Sequence, residues 1–249
     1  MLTPERHQFI LELLNKHHTI KLKELVESTG ASESTIRRDL DQLEQHGELR
    51  RVHGGASLRR PSIEEPSIGE KRSQHHAEKV LIAEEASRLV EDGQSIFLDA
   101  GTTTYEMVPY LAGKKITVVT NGLPHLDALA THSIPTYVLG GFVKGRTQAV
   151  VGASALQNLS QYRFDHCFMG ANGVSLEDGY TTPDPEEAAI KRTTLTLSQA
   201  RHMLIDASKF NEVTFSHITP ISEANIITNY KGALLEQILE KTNIKVVTS

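Results

Sequence analysis

Seven short apolar runs in the second part of the chain constrain its fold more than any other feature. Segments with helical spacing lie between these runs, and several runs are apolar throughout, as expected for strands that are buried on both faces. Regular alternation of strands and helices predicts a parallel sheet covered by helices, so this part is predicted to be an α/β domain. The predicted strands are 95–100, 116–120, 136–140, 164–170, 202–206, 225–228 and 244–247.

The beginning of the chain follows a different pattern, that of three helices and one strand. Helices are predicted at about 3–15, 21–28 and 33–46, with a strand at 49–52 and a tight turn at 53–56. Gly30 supplies the left-handed residue that ends the second helix, and Ser32 caps the third. A short turn between two such helices is typical of a helix-turn-helix, whose third helix enters the major groove of DNA.

The exposed half of the third helix and the wing after it carry groups suited to DNA. Arginine grips a guanine edge or a phosphate through two hydrogen bonds, and small hydroxyls meet phosphates or base edges. The net charge of −5 hides an asymmetry, because residues 1–60 hold ten Lys and Arg against nine Asp and Glu. The alternative is a three-helix domain with a charged surface. The candidate DNA-binding residues are Ser32, Glu33, Ser34, Thr35, Arg37, Arg38, Arg50, Arg51, His53 and Gly54.

Composition divides the chain into two domains and a linker. The winged helix-turn-helix is predicted to span 1–58, and 59–75 is rich in proline, serine and mixed charge, which predicts a linker without a core. A larger domain, 76–249, begins with a long amphipathic helix at about 76–91. The chain has one cysteine, Cys167, in an apolar run, where a buried strand residue is expected. We expect a cytoplasmic protein, because no apolar run approaches the ~20 residues that span a bilayer.

Four polar or glycine-rich turns follow predicted strands in the larger domain. They are 99–104, 120–122, 140–146 and 170–173. The carboxyl ends of parallel strands share one edge of a sheet, and ligands bind there. Backbone amides at the start of a helix attract anions, and Gly101 allows a close approach. Taken alone, the first turn is of low specificity and is equally compatible with an ordinary strand-to-helix connection.

Charged residues further along the chain are candidates for the same site. Glu187 and Lys191 are four residues apart and share a helix face, although a surface ion pair explains the same spacing. The histidines show no metal-ligand spacing supported by a carboxylate, so no metal and no cofactor are expected. The candidate effector-binding residues are Asp99, Gly101, Thr102, Thr103, Thr104, Asn121, Gly141, Lys144, Arg146, Glu187, Lys191 and Lys209.

Two motifs carry a resemblance to a known family. The pattern Ser-x-x-Thr-Ile-Arg-Arg-Asp-Leu from Ser32, followed by His-Gly-Gly-Ala from His53, resembles the DeoR family of bacterial repressors over essentially the whole chain. The resemblance implies a sensor domain similar to ribose-5-phosphate isomerase and related sugar-phosphate proteins. It implies that the loop 101–104 receives a phosphate, and that Asp99, Asn121, Glu187 and Lys191 face the sugar.

The resemblance also implies a function. Within the family the chain most resembles repressors of fructose operons in Gram-positive bacteria, which implies release from operator DNA by fructose 1-phosphate, with fructose 1,6-bisphosphate or another phosphosugar as the second choice. A homodimer or homotetramer without membrane association is expected. One alternative is a sugar-phosphate isomerase fused to a DNA-binding head, because the isomerase relatives use an acid and a lysine. Another is an activator, or a DNA-binding protein without a ligand.

Overall fold

The computed structural model describes residues 1–17, 19–52, 54–58, 67–232 and 234–248. The chain divides into two compact units, Met1–Pro61 and Ser62–Ser249. Each unit has its own hydrophobic core. Among the described residues, no helix is long and apolar enough to cross a membrane.

The first unit combines three helices with a small antiparallel sheet, in the strand order β1-β3-β2. The central strand of this sheet starts at Gly55, where the sequence predicted a turn. A side chain at Gly55 would lie 2.1 Å from the carbonyl oxygen of Ile20, so only glycine lets the two strands pair at this position. The elements are α1 (Thr3–His17), β1 (Thr19–Lys21), α2 (Leu22–Thr29), α3 (Glu33–Gln45), β2 (Leu49–Val52) and β3 (Gly55–Leu58).

The core of the first unit comes from the apolar faces that the sequence predicts for its helices. Helix α3 buries every residue of its predicted stripe, and α1 and α2 face it with their own apolar residues. Burial of these side chains supplies most of the favourable free energy for a domain of this size. The fully or nearly fully buried residues of the helices are Ile10, Leu14, Leu25, Ile36, Leu40 and Leu43.

The second unit is built on a seven-stranded sheet in which all neighbouring strands are parallel. This confirms the predicted α/β fold class. The elements up to the centre of the sheet are α4 (Ile68–Ser73), α5 (His76–Ser87), β4 (Ser95–Leu98), α6 (Thr102–Tyr105), β5 (Thr117–Thr120), α7 (Leu123–Thr131), β6 (Thr136–Val138), β7 (Phe142–Val143), β8 (Val150–Val151), α8 (Ala153–Leu159) and β9 (Phe164–Met169). The later elements are β10 (Gly173–Ser175), β11 (Gly179–Thr182), α9 (Pro185–Thr196), β12 (Ser198–Ile205), β13 (Ser216–Thr219), β14 (Asn225–Thr228), α10 (Leu235–Leu239) and β15 (Ile244–Val246).

The order of the strands creates a crevice at the middle of the sheet. The order is β15-β14-β12-β9-β4-β5-β6, so the chain proceeds from β4 to one edge and later from β9 to the other. The loops that leave β4 and β9 therefore diverge to opposite sides, and the carboxyl ends of these two strands form a topological switch point. Ligands of doubly wound sheets bind at such a point. Strands β10, β11 and β13 form a separate antiparallel sheet, and β7 and β8 form a hairpin.

Helices cover both faces of the seven-stranded sheet. Phe97 of β4 and Met203 of β12 pack on the face that α8 and α9 cover, whereas Leu98 and Leu204 pack on the face that α5 covers. Cys167 is fully buried in β9, as expected, and burial raises the pKa of its thiol to about 11.

The predicted linker 59–75 contains a helix, and its residues 59–66 lie outside the described part of the chain. Helix α4 occupies Ile68–Ser73, and a capping box begins it: the Ser67 hydroxyl accepts from the backbone N–H of Glu70 at 3.3 Å, and the Glu70 carboxylate accepts from the backbone N–H of Ser67 at 2.7 Å. Serine followed by glutamate three residues later is a helix-start signal that the proline-rich and serine-rich composition concealed. The other predicted elements differ from the structure mainly at their ends. The clearest case is β12, which begins at Ser198.

Candidate functional site

Helix α3 is fixed by its inner face and by its cap, which leaves its outer face for a partner. The hydroxyl of Ser32 accepts a hydrogen bond from the backbone N–H of Thr35 at 3.2 Å. Gly30, at φ 69°, ends α2 and turns the chain toward α3. The candidate DNA-binding residues of this helix lie on the outer side: Ser32, Glu33, Ser34, Arg37 and Arg38 are exposed, and Thr35 is partly exposed.

The two arginines of α3 differ in what they contact. Arg37 pairs with Glu33 one turn earlier, with distances of 2.6 and 3.0 Å to one carboxylate oxygen. Within the described part of the chain, Arg38 makes no ion pair. Exposed ion pairs contribute only about 0–1 kcal/mol, so Arg37 can exchange Glu33 for a phosphate at little cost.

Part of the predicted wing lies in β2 and β3, the two strands that follow α3. The side chain of Arg51 contacts Asp41, and its backbone N–H donates to the Glu44 carboxylate at 2.7 Å. Gly54 is exposed at φ 82°, which suits a tight reversal between β2 and β3. Two of the predicted wing groups, His53 and the side chain of Arg50, lie outside the described residues.

A buried ion pair joins α1 to the inner side of α3. The guanidinium of Arg6 donates to both oxygens of Asp39, at 2.5 and 2.9 Å, and His7 lies 3.2 Å from the same carboxylate. Burial disfavours ionisation of Asp39, but the hydrogen bonds and charge of Arg6 outweigh it and lower the pKa of that carboxyl below its usual value. The sequence analysis did not identify this pair, since Asp39 reads as an ordinary polar residue of an amphipathic helix.

In the second unit, a pocket lies at the switch point between β4 and β9. Its space is about 740 Å³, including the open mouth, and most of the residues that line it have polar side chains. The loops after β4, β9 and β12 contribute to it, as does the first part of α9. The lining residues are Ile68, Lys71, Gln74, Lys79, Asp99, Ala100, Gly101, Thr102, Thr103, Thr147, Gly170, Ala171, Asn172, Glu187, Lys191, Leu204, Asp206 and Lys209.

The loop after β4 is held from behind by several hydrogen bonds. Asn121, from the end of β5, accepts from the backbone N–H of Ala100 at 2.9 Å. The Asp99 carboxylate accepts from Lys191 and, at 3.3 Å, from the backbone N–H of Gly170. These bonds join the ends of three neighbouring strands and α9. The first turn of α6 therefore lies beside the pocket. Its backbone N–H groups have no hydrogen-bond acceptor within the helix.

His125 supports the same loop from its buried side. Its Nε2 lies 3.2 Å from the hydroxyl of Thr104, and that hydroxyl lies 2.6 Å from the carbonyl oxygen of Asp99. The same hydroxyl lies 2.8 Å from the carbonyl oxygen of Gly101. Since a carbonyl only accepts, the Thr104 proton goes to one of these two carbonyls, and Nε2–H of His125 is the donor. Burial, aided by the nearby charge of Arg72, lowers the pKa of His125 to about 3, which agrees with a neutral ring.

A second group of charges is organised around the start of α9. Lys144 contacts the carboxylates of Asp184 and Glu187, each at 2.8 Å, and the hydroxyl of Thr147 donates to Glu187 at 2.8 Å. Burial alone would raise the pKa of Asp184. The hydrogen bonds from Lys144 and from the first turn of α9 outweigh burial, so the pKa of Asp184 lies below its usual value. Lys144 therefore orients Glu187 at the pocket wall.

Positive charge exceeds negative charge along the lining. Four lysines face three carboxylates there, and two of these lysines, Lys79 and Lys191, are buried. Burial lowers the pKa of Lys79, and the nearby charge of Asp206 partly restores it. Lys191 is already paired with Asp99, whereas Lys209 makes no ion pair within the described part of the chain. Such a pocket favours a ligand that is both anionic and rich in hydroxyl groups.

The structure brings together some of the predicted effector-binding residues and separates others. Seven of the twelve line the pocket, namely Asp99, Gly101, Thr102, Thr103, Glu187, Lys191 and Lys209. The other five, Thr104, Asn121, Gly141, Lys144 and Arg146, do not line it. Thr104, Asn121 and Lys144 instead hold lining residues in place. Gly141 packs in the β7–β8 hairpin, where a side chain would lie 2.6 Å from the carbonyl oxygen of Val151, and the Arg146 side chain is exposed.

Six polar residues of the lining were not among the predicted effector-binding residues, namely Lys71, Gln74, Lys79, Thr147, Asn172 and Asp206. Lys71 and Gln74 fall in the predicted linker, and Lys79 falls in a helix whose charged residues were expected to face solvent. No pattern in the sequence identified Lys79, because its burial depends on the segment that folds over it. Among the described residues, no cluster of His, Cys, Asp and Glu side chains is suited to hold a metal ion.

Comparison with known protein families finds two matches that together cover most of the chain. Residues 6–61 match the family described as the DeoR-like helix-turn-helix domain. Residues 74–230 match the family described as the DeoR C terminal sensor domain. The two matched ranges coincide with the unit that contains α3 and with the unit that contains the pocket.

Individual relatives align along the full chain. A Bacillus subtilis protein named as an uncharacterised HTH-type transcriptional regulator, FruR, is 48% identical over 99% of each chain. A Staphylococcus epidermidis protein named lactose phosphotransferase system repressor is 34% identical over 98% of each chain. A solved ribose 5-phosphate isomerase A from Methanocaldococcus jannaschii aligns at 19% identity over 53% of each chain, with a TM-score of 0.40.

Proposed function

This chain belongs to the DeoR family of transcriptional regulators, and from that premise we propose that it represses a sugar-utilisation operon and that a phosphorylated sugar releases it from its operator. The relatives are named as regulators and repressors of transcription, so the function is regulation and not catalysis. Operator DNA lies in the bacterial cytoplasm, where we propose that the protein acts.

The observation that carries the effector proposal is the lining of the switch-point pocket. The first turn of α6 offers backbone N–H groups and the hydroxyls of Thr102 and Thr103, while lysines supply positive charge around them. Phosphate groups bind such combinations of backbone donors and cations. The carboxylates of Asp99 and Glu187 offer acceptors for sugar hydroxyls.

Fructose 1-phosphate is the effector that we propose, on the strength of the family resemblance, with fructose 1,6-bisphosphate as the second candidate. The test is a titration of operator affinity with a panel of phosphosugars that includes both. Coupling between an effector site and a DNA site is typically worth ~1–3 kcal/mol, so the correct effector is expected to weaken operator binding about 5–150-fold. A panel without effect at millimolar concentration contradicts the sensor proposal, and tighter binding reverses the sign of regulation.

The alternative of an isomerase fused to a DNA-binding head is separated from this proposal by an assay of turnover. Glu187 and Lys191 line the pocket, as an acid and a base of such an enzyme would. Each is held by a partner, Glu187 by Lys144 and Lys191 by Asp99. We therefore expect both residues to bind sugar hydroxyls, and no phosphosugar of the panel to be interconverted.

Replacement of Arg37 or Arg38 by alanine is expected to weaken operator binding by about 1–3 kcal/mol if the residue contacts a base edge or a desolvated phosphate. Both side chains are exposed, so the fold survives the change. Gel-shift titrations at one fixed salt concentration measure the effect. Lys23, which is exposed on α2 and pairs with Glu27, is a matched control. Unchanged affinity in both arginine variants would exclude α3 from DNA recognition.

The protein is expected to form a dimer or tetramer held mainly by residues 76–249, because two heads on one duplex raise affinity through effective concentration. Apolar side chains are exposed near the sheet edge at β6 and in the β7–β8 hairpin, among them Tyr137, Val138 and Phe142. Light scattering at micromolar concentration tests the assembly. Phe142→Asp should lower the mass, whereas Phe215→Asp, at an exposed position elsewhere, should not. A monomeric parent protein contradicts the prediction.

A further inference from the structure

Asn172, in the loop after β9, brings an uncharged hydrogen-bonding group to the pocket wall. Its loop meets the loop after β4 at the switch point, where the backbone N–H of Gly170 donates to the Asp99 carboxylate at 3.3 Å. Two amide side chains line the pocket. The other, Gln74, is exposed, whereas Asn172 is partly buried. Asn172 is therefore the lining amide that the protein surrounds more closely.

The backbone at Asn172 is fixed by the antiparallel sheet beside the pocket. The backbone N–H of Asn172 donates to the carbonyl of Thr181 at 2.9 Å. The next residue, Gly173, pairs with Thr181 in the β10–β11 ladder. A side chain at Gly173 would lie 2.3 Å from the carbonyl oxygen of Glu212, so the chain is closely packed there as well. The side chain of Asn172 therefore starts from a defined position at the pocket.

Thr182 of β11 holds the side-chain amide of Asn172 in one orientation. Its hydroxyl donates to Oδ1 of Asn172 at 3.2 Å, and Thr182 is fully buried and does not line the pocket. The acceptor end of the amide is therefore used by the protein. The NH2 end carries two protons. Among the described residues neither proton has an acceptor, so both remain for a ligand.

The charged groups of the lining differ from Asn172 in what they can recognise. The lysines attract the charge of a phosphate, and the carboxylates only accept hydrogen bonds. A sugar hydroxyl that donates its proton to a carboxylate still has lone pairs, and an uncharged N–H group can donate to them. An amide beside the sugar therefore complements the carboxylates.

We propose that Asn172 is a specificity-determining residue, whose NH2 group donates to an uncharged oxygen of the sugar and so favours a phosphosugar over phosphate alone. The inference rests on the proposed function, because it assumes a phosphosugar in this pocket. A site built to hydrogen-bond a particular ligand oxygen discriminates against ligands that lack it, since its own polar group is then left unpaired.

The test compares two probes by calorimetry with full-length variants: fructose 1-phosphate directly, and inorganic phosphate by its competition with fructose 1-phosphate. Asn172→Ala removes the amide and is expected to weaken binding of fructose 1-phosphate about tenfold. Its affinity for inorganic phosphate should stay that of the parent protein, because phosphate alone offers no sugar oxygen. Thr182→Val leaves Asn172 in place but frees its amide to turn, so a smaller loss is expected, again for fructose 1-phosphate only.

Asn172→Asp replaces the NH2 group by an oxygen and keeps the acceptor for Thr182, so it decides the question if Asn172→Ala does not fold. Its new charge repels both probes, and the ratio of the two affinities is therefore the readout. That ratio should fall. Asn158→Asp is the matched control, because Oδ1 of Asn158 accepts from the backbone N–H of Gly140 at 3.3 Å, outside the pocket lining. The ratio should not change in this variant.

The outcomes separate this inference from the proposed function. A loss of equal size for both probes in the Asn172 variants would show that Asn172 contacts the phosphate, which overturns the inference. Unchanged affinity for fructose 1-phosphate in a folded Asn172→Ala variant overturns it as well. If the parent protein binds no phosphosugar of the panel, the proposed function itself fails.

Discussion

Thr103→Glu is expected to produce a repressor that still binds its operator but no longer responds to the phosphosugar. Thr103 lies in the first turn of α6, is 7% exposed and lines the pocket. A glutamate there occupies the proposed phosphate position and adds a charge that repels a phosphate. The whole response of about 5–150-fold should therefore be lost. Operator affinity measured against fructose 1-phosphate concentration, for the parent protein and the variant, gives the result.

Two further variants make this measurement specific. Thr103→Ser keeps the hydroxyl and should respond as the parent protein does. Thr131→Glu introduces the same charge at the exposed end of α7, outside the pocket lining, and should also respond normally. A normal response by Thr103→Glu would show that the loop is not the phosphate site. If a folded Thr103→Glu variant fails to bind the operator in the absence of phosphosugar, the new carboxylate imitates the effector.

Asp39→Ala is expected to destabilise the first unit by roughly 3 kcal/mol, because it leaves the buried guanidinium of Arg6 without its partner. A unit of about 60 residues has only a few kcal/mol of stability to lose. The variant should therefore lose operator binding by unfolding its head, although Asp39 lies on the inner side of α3. Hydrogen exchange of the amides of α1 and α3 measures this unit separately from the other.

Asp41→Ala provides the matched control, since Asp41 pairs with Arg51 at the surface, where a pair contributes about 0–1 kcal/mol. The pH dependence provides a second check. The folded-state pKa of Asp39 lies below its unfolded value, so its contribution to stability is present above about pH 4 and is lost as the pH falls through the folded pKa. Equal stability of the Asp39 and Asp41 variants would contradict the importance of the buried pair.

Periodicity and loop chemistry predicted much of the architecture. The apolar stripe Ile36, Leu40 and Leu43 defines the recognition helix, and the alternating strands define the parallel sheet. The topological switch point between β4 and β9 was not predictable, because hydrophobic runs in a sequence do not determine which strands are neighbours in the sheet. The same limit applies to the pocket: residues that follow strands were found, but Thr147 and Lys79 reach it from elements whose direction depends on packing.

Some predicted residues lie beside the pocket and not in it for a related reason. Asn121 and Thr104 have side chains of the kind that bind ligands, yet their hydrogen bonds are made with the backbone of the loop after β4. A residue type that can bind a ligand can equally hold the residue that does so. Only the direction of the side chain separates these roles, and that direction is set by the register of β4, β5 and β9.

The burial of Cys167 in the central sheet has a practical consequence. It is the single cysteine of the chain, and its raised pKa keeps the thiol protonated and unreactive. A cysteine introduced at an exposed position is then the only thiol that a maleimide dye modifies. Gly69 in α4 suits this purpose, because a side chain added there meets no atom within 4 Å. Fluorescent labelling of the otherwise native protein at that position allows the environment of α4, beside the pocket, to be followed in real time.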